Sequence, residues 1–349
     1  MTLGPVMVDL QGKALTESER RRLLRPEVGG VLLFTRNYES PEQIRALVSE
    51  IHALRDPHLL VAVDHEGGRV QRFRDGFTRL PPVAELGLVH DRDPREAETL
   101  AELSGWLMAI ELRAVGVDLS FAPVLDIGRD LCPVIGDRAF HRNPEVIARL
   151  AGAYQRGMKR AGMAAVGKHF PGHGGVYEDS HVALPHDTRS LADLQLEDLV
   201  PFERLIHQGL PGMMIAHVRY SAIDDRLAGF SPFWLRDCLR GELGFQGAIF
   251  SDDLSMVAAE AAGEVPDRAH AALKAGCDMV LVCNAPDDAD AAVDRLRGHA
   301  DPAAQLRLTR LHGRQPAPDW EALHRDPAWI EARDRVRGYD QEPLLDMDM

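Results

Sequence analysis

Short runs of apolar residues alternate with longer amphipathic segments over most of this chain. Within each short run the apolar residues are consecutive rather than alternating with polar ones, which is typical of parallel strands covered on both faces. Eight runs are therefore predicted to be strands: Pro5–Leu10, Val31–Phe34, Leu59–Val63, Val117–Ala122, Met163–Lys168, Met213–His217, Ala248–Ser251 and Met279–Cys283.

The amphipathic segments predict helices, and two of them carry clear start signals. Thr16 and Glu19 have the spacing of a capping box, and Ser40 precedes Pro41 as an N-cap precedes a proline in the first turn. The predicted helices are Thr16–Arg25, Ser40–Leu54, Pro94–Val115, Pro144–Ala161, Leu191–Gln208, Pro232–Leu239, Ser255–Ala262, Pro266–Ala275 and Asp287–Arg297.

Strict alternation of strands and helices predicts an α/β fold with parallel strands, and eight units in about 300 residues fit a closed (β/α)8 TIM barrel. A doubly wound open sheet is the alternative, but the Gly-rich phosphate turn it often carries is absent after the first strand. We expect one catalytic barrel over residues 1–300. Residues 301–349 are rich in Arg and Pro and are predicted to form a helical appendage packed on the barrel, frayed after Gly338.

Composition narrows the class of protein. The net charge of −14, from 54 acidic and 40 basic residues, argues against nucleic-acid binding. The four cysteines have no metal or redox spacing. No segment looks like a signal peptide or approaches the ~20 apolar residues of a membrane span. We therefore expect a soluble cytoplasmic protein without a membrane partner, and nothing in the sequence demands more than a monomer.

The segment Lys168–His181 holds three histidines, two carboxylates, a lysine and three glycines in fourteen residues. It could be a solvated polar loop. It could also be a metal site built from His169, His173 and Asp179, although the prolines and glycines disfavour the helix that such spacing serves. We favour a third interpretation, an acid/base loop in which Asp179 orients His181, and we assign no metal ligands or cofactor.

Polar residues also follow the predicted strands at the end where barrel enzymes carry their catalytic groups. These residues are Asp64-His65-Glu66, Arg69, Arg72, Asp126, Asp137-Arg138, Lys168-His169, His217 and Ser251-Asp252-Asp253. Carboxylates beside arginine and lysine suit a sugar pocket. Glycoside hydrolysis normally needs two carboxylates; Asp252 can be the first, and the Asp179/His181 pair can supply the second role.

Four motifs together resemble glycoside hydrolase family 3, and more closely its single-domain bacterial branch, the beta-N-acetylglucosaminidases of peptidoglycan recycling. They are Asp64-His65-Glu66-Gly67-Gly68-Arg69-Val70, Lys168-His169-Phe170-Pro171-Gly172-His173-Gly174, Asp179-Ser180-His181 and Ser251-Asp252-Asp253-Leu254-Ser255-Met256. The resemblance covers about residues 5–300. It implies a cytoplasmic enzyme whose work would bear on the cell wall, cell shape and division.

The resemblance also implies residue roles. Asp252 would be the nucleophile of a retaining reaction, His181 the general acid/base and Asp179 its partner. The N-acetylglucosamine ring of a small muropeptide, a GlcNAc-anhydroMurNAc-peptide, would be held by Asp64, Arg72, Arg138, Lys168 and His169. Asp253 is expected only to orient its loop. Many relatives have Gln where this chain has His65, and we assign that side chain no function.

Four alternatives remain at this point. Another sugar specificity in the same family, such as a beta-glucosidase, is the nearest. A phosphorylase is also possible, because a histidine acid/base repels phosphate less than a carboxylate would. A metal-dependent hydrolase would use His169, His173 and Asp179. A non-catalytic sugar-binding barrel would need neither Asp252 nor His181. The glycines of the 168–181 loop further suggest that it opens and closes over the site.

Overall fold

Eight parallel strands close into a barrel in the computed structural model, which describes residues 3–129, 131–177, 180 and 183–339. Each strand pairs with the next along the chain and the last pairs with the first, so the predicted TIM barrel is confirmed. The strands are β1 (Val6–Asp9), β2 (Val28–Leu33), β3 (Leu60–Val63), β4 (Leu119–Ser120), β5 (Ala164–Phe170), β6 (Gly212–Ile215), β7 (Ala248–Asp253) and β8 (Met279–Val282).

The strands read as continuous apolar runs because both of their faces are buried. In β1, Met7 points into the barrel interior, whereas Val6 and Val8 pack in the layer between strands and helices. The interior is filled by large side chains, including Phe121 and Phe250, whose rings meet edge to face at 5.3 Å. The barrel is thus a packed core, and any binding site must lie at its ends.

Helices surround the barrel, and most lie where the amphipathic pattern predicts them. Their bounds are Glu17–Leu23, Pro41–His52, Val83–His90, Pro94–Ala114, Pro144–Arg160, Leu191–Leu196, Leu199–His207, Phe233–Glu242, Val257–Ala262, Val265–Ala275 and Pro286–Arg295. Thr16 and Glu19 form the predicted capping box, and the Ser40 side chain caps the helix that begins at Pro41. Among the described helices, none combines the length and apolarity that crossing a membrane requires.

The single helix predicted over Leu191–Gln208 is wrong, because the segment divides at Glu197 and Asp198. Asp198 is completely buried, and its carboxylate accepts hydrogen bonds from Arg129 Nη1 at 2.8 Å and Arg189 Nη1 at 2.6 Å. A buried carboxylate needs such partners. The break places Asp198 where two arginines from outside the helix pair can reach it.

Three further helices follow the barrel: Pro302–Thr309, Trp320–Leu323 and Pro327–Arg337. Trp320 packs against Phe77 with ring centroids 4.9 Å apart. Trp329 Nε1 donates to Glu111 Oε1 at 2.9 Å, and the same carboxylate accepts from the Thr78 hydroxyl and amide. The last two helices therefore contact the layer outside the strands, whereas Leu308 of the first packs with the side chains of the barrel interior. The predicted fraying falls mainly on residues 340–349, which lie outside the described residues.

Candidate active site

A buried cluster of two carboxylates and two cations lies at the C-terminal ends of β3 and β5. Lys168 Nζ contacts Asp64 Oδ1 at 2.7 Å and Glu66 Oε1 at 2.6 Å. Arg138 donates two hydrogen bonds to Glu66, at 2.8 and 2.9 Å. The strand predicted to end at Lys168 continues to Phe170, so Lys168 and His169 both lie within β5.

The four charges stabilise one another away from water. Burial opposes ionisation of Glu66, but the charges of Arg138 and Lys168 hold the pKa of its carboxyl well below the ordinary value. Burial likewise disfavours the Lys168 ammonium, but Asp64 and Glu66 raise its pKa. The side chain of Asp64 is 20% exposed against 3% for Lys168 and 5% for Glu66. Asp64 is therefore the carboxylate of the cluster most open to a ligand.

Asp126 organises the second half of the site. It is completely buried, and its Oδ2 contacts His169 Nδ1 at 2.6 Å, while its Oδ1 accepts from the His173 amide at 2.6 Å. Burial opposes ionisation of Asp126, but the facing His169 ring lowers the pKa of this carboxyl below its ordinary value. The carboxylate thus fixes the orientation of the His169 imidazole and the start of the loop.

His173 is held inside the structure rather than presented to a ligand. Its Nδ1 lies 3.6 Å from Cys132 Sγ, and its Nε2 lies 3.2 Å from Ser180 Oγ. Burial lowers the pKa of His173 to about 4, so the ring is neutral at pH 7. These partners agree with a loop-shaping role. Of the three groups in the alternative metal site, Asp179 lies outside the described residues.

Asp252 and Asp253 end β7 at the same end of the barrel. Asp253 Oδ1 accepts from the amides of Ser255 and Cys283, each at 3.0 Å, which is the orienting role expected for it. The Asp253 amide donates to Asp252 Oδ1 at 2.8 Å. Burial lowers the pKa values of His173 and His217, and the charge of Asp252 acts in the opposite direction on both rings.

The structure brings some of the predicted site residues together and leaves others apart. Asp64, Lys168 and Arg138 share one cluster, and His169 is joined to Asp126. Arg72 is half-buried, with its guanidinium 5.8 Å from the centroid of the Phe34 ring. Asp179 and His181 lie outside the described residues. Ser180 between them is buried, and its carbonyl accepts from the Ala258 amide at 3.1 Å, in the segment after β7.

Glu66 and Asp126 are among the polar residues predicted at the strand ends, but neither was assigned a role there. The position of Glu66 offered a signal for its role. Successive side chains of a strand point to opposite sides, so in His65–Gly67 the Glu66 side chain points away from the side that His65 occupies. The signal for Asp126 was weaker, because it lies in an irregular segment after β4. Its importance comes from contacts with residues more than forty positions away, which no local pattern shows.

The glycines of the loop are explained by close packing and do not support the predicted opening motion. A Cβ on Gly174 would lie 2.1 Å from the carbonyl oxygen of Ile127, so only glycine fits there. Gly172 has a φ of +130°, which side chains rarely adopt, and its space is bounded by Asp198. Replacing Gly174 by Ala would therefore disturb packing and would not report on loop motion.

His65 makes stability depend on pH. The ring packs between Phe73 and Phe77, and burial together with nearby Arg72 lowers its pKa from 6.5 to about 3. Between these values the unfolded chain binds a proton that the folded chain does not, so stability present above pH 6.5 is lost as pH falls. When the pH falls from 7 to 5, the free energy of unfolding should decrease in the parent because of His65. In His65→Gln this decrease should be smaller by about 2 kcal/mol. Urea unfolding at both pH values measures this, and equal losses would contradict it.

Comparison with known proteins agrees with this architecture. The model of the glycosyl hydrolase family 3 N-terminal domain matches residues 4–311. A beta-hexosaminidase of Thioalkalivibrio sulfidiphilus is 60% identical, and one of Alkalilimnicola ehrlichii 58% identical, each over 100% of both chains. The structure of NagZ from Neisseria gonorrhoeae in complex with N-trifluoroacetyl-D-glucosamine has a TM-score of 0.93 and 46% identity, covering 98% of this chain and 99% of that one. The chain belongs to glycosyl hydrolase family 3.

Proposed function

We propose that this glycoside hydrolase, a beta-N-acetylhexosaminidase, releases terminal beta-linked N-acetylglucosamine from peptidoglycan-derived muropeptides of the GlcNAc-anhydroMurNAc-peptide type. The observation that carries the proposal is the buried cluster of Asp64, Lys168, Glu66 and Arg138 at the barrel end where Asp252 lies. Support comes from full-length relatives named beta-hexosaminidase and from a similar structure that binds an N-acylated glucosamine.

The cluster is suited to recognise one sugar ring in a fixed position. Asp64 can accept hydrogen bonds from two adjacent hydroxyls, and Lys168 and Arg138 can donate to ring substituents. Glu66 balances the two cations, so that the pocket keeps its geometry without a bound ligand. We assign Arg72 and His169 to the same sugar subsite.

The mechanism we propose is double displacement with retention of configuration. The Asp252 carboxylate attacks the anomeric carbon, and the bond to the leaving oxygen breaks as that oxygen takes a proton from His181. Neutral His181 then removes a proton from water, whose oxygen attacks the anomeric carbon and releases Asp252. Asp179 would stabilise the protonated imidazole in the first step. The burial of Ser180 against the segment after β7 supports bringing this pair to the site.

We propose a cytoplasmic monomer without cofactor or membrane partner, in which residues 1–300 carry catalysis and residues 301–349 support the barrel. Phosphate could replace water as the second nucleophile, because the proposed acid/base is a histidine. That reaction would make the protein a phosphorylase, and the experiment below distinguishes the two outcomes.

The proposal is tested with 4-nitrophenyl beta-N-acetylglucosaminide, the matching beta-glucoside and a muropeptide. We expect turnover of the acetylated sugar with little turnover of the glucoside, no acceleration by phosphate, and the beta anomer as first product in a proton NMR time course. Release of the alpha anomer would overturn the double-displacement mechanism. Strong acceleration by phosphate would indicate a phosphorylase, and equal turnover of the glucoside would overturn the sugar specificity.

A further inference from the structure

A second group of ligand-type side chains lies at the opposite end of the barrel. His52 ends the helix Pro41–His52, His58 lies just before β3, and Asp118 immediately precedes β4. All three therefore sit at the N-terminal ends of strands, away from the site described above. In the part of the chain that the structure describes, this is the only group of three His, Cys, Asp or Glu residues arranged to hold a metal ion.

Each imidazole of this group lies at ligand-to-ligand spacing from its own oxygen of Asp118. His52 Nε2 lies 3.3 Å from Asp118 Oδ2, and His58 Nε2 lies 3.5 Å from Asp118 Oδ1. In a tetrahedral zinc site with bonds of about 2.1 Å, neighbouring ligand atoms are separated by about 3.4 Å. The three ligand atoms lie within 4.8 Å of one another, so modest rotation of the imidazoles brings them to a common ion.

The Asp118 carboxylate is what both imidazole nitrogens face. Among the described residues, Nε2 of His52 and Nε2 of His58 are buried and make no well-aligned hydrogen bond, and their nearest acidic oxygens are those of Asp118. Two buried imidazoles that converge on one carboxylate without well-aligned hydrogen bonds are the arrangement that a bound ion would complete. Asp118 is fixed in place, because its Oδ2 accepts from the Val61 amide at 3.0 Å and its Oδ1 from the Gly313 amide at 3.1 Å. The carboxylate is thus held rigidly toward both rings.

The neighbouring His312 is not part of this group. Its Nδ1 lies 3.1 Å from the Thr309 carbonyl oxygen and its Nε2 lies 2.9 Å from the His58 carbonyl oxygen. A neutral imidazole can donate to only one of these two oxygens, and both nitrogens are directed at the backbone rather than at Asp118. It packs on the His58 ring with centroids 4.4 Å apart and supports that ring from outside the group.

We propose that His52, His58 and Asp118 bind a late first-row divalent cation, with Zn2+ as the representative ion. Two imidazoles and a carboxylate suit zinc and its neighbours, whereas magnesium and calcium prefer oxygen ligands. Three protein ligands leave a fourth position for water, and the side chain of His58, which is 39% exposed, gives the ion an entry path. The site serves stability, because it lies at the end of the barrel remote from the chemistry.

The test is zinc binding by the whole protein after treatment with a chelator. Isothermal titration with ZnCl2 and thermal unfolding with and without zinc are carried out on the parent, His52→Gln, His58→Gln and the control His207→Gln. His207 is exposed at the end of the helix Leu199–His207, so the control removes an imidazole without touching the group. Asp118→Asn is avoided, because loss of its buried charge could prevent folding.

We expect the parent and the control to bind zinc with equal affinity and to gain thermal stability from it. Each of His52→Gln and His58→Gln should lose at least about tenfold in affinity and most of the zinc-dependent rise in Tm. Similar melting of all four proteins in chelator would show that the variants fold. Zinc binding unchanged in both variants would overturn the proposal and assign the ion to another site, and no binding by the folded parent would overturn it as well.

Discussion

Replacing Asp252 by Asn is expected to lower kcat/KM for 4-nitrophenyl beta-N-acetylglucosaminide by at least about a thousandfold. The proposed reaction passes through a bond between this carboxylate and the sugar, and an amide cannot form it at a useful rate. Asn keeps the size of the side chain and can still accept the hydrogen bond from the Asp253 amide. The fold should therefore remain intact, which circular dichroism and a melting curve can verify.

Two comparisons separate loss of the nucleophile from loss of charge. Asp237→Asn removes an exposed carboxylate from the helix Phe233–Glu242 and should leave activity within about twofold. Sodium azide added to Asp252→Ala should restore turnover and give a glycosyl azide of alpha configuration, since azide attacks from the side that the carboxylate occupied. Activity of Asp252→Asn within tenfold of the parent would remove Asp252 from the mechanism.

Glu66→Gln is expected to lower the free energy of unfolding by about 3–5 kcal/mol. Gln fills the same volume, so the loss comes from charge: Lys168 would keep only Asp64, and the largely buried Arg138 would lose the carboxylate to which it donates two hydrogen bonds. Urea unfolding monitored by tryptophan fluorescence measures the change. We also expect KM to rise, because the two cations proposed to hold the sugar would no longer be fixed by Glu66.

The matched control is Glu145→Gln. Glu145 pairs with Arg204 at 2.9 Å, a distance like those in the cluster, but its side chain is 60% exposed. An exposed ion pair contributes about 0–1 kcal/mol because water screens it and solvates the separated charges. Comparable losses in the two variants would contradict the argument that burial makes the Glu66 charge important.

The barrel could be predicted from sequence because its strands are buried on both faces, as Met7 and its neighbours Val6 and Val8 illustrate. The hydrophobic pattern predicted less where the structure depends on contacts with distant residues. The helix breaks at Asp198, whose carboxylate accepts hydrogen bonds from two arginines outside the helix pair. The helix Val83–His90 was missed because apolar residues dominate its sequence and leave no polar stripe.

The site shows the same division between local and distant signals. Asp64, Lys168 and Arg138 were predicted as sugar-binding residues from the family resemblance, and the structure brings them into one cluster with Glu66. Their roles remain proposals. Glu66 and Asp126 were named at the strand ends without a role, because they act by holding other side chains through contacts across the chain. A short motif records which residues are present, but it does not record which of them pair.

The hydrogen bonds of Glu111 connect the last of the C-terminal helices to the candidate active site. This buried carboxylate joins Trp329 to Thr78, and the Thr78 carbonyl in turn accepts from the side chain of Gln71. Gln71 pairs with His65 in the antiparallel hairpin of His65–Gly67 and Val70–Gln71, which carries Glu66. The last helix is therefore linked through hydrogen bonds to the hairpin of the proposed sugar pocket, and substitutions at the two places should be epistatic.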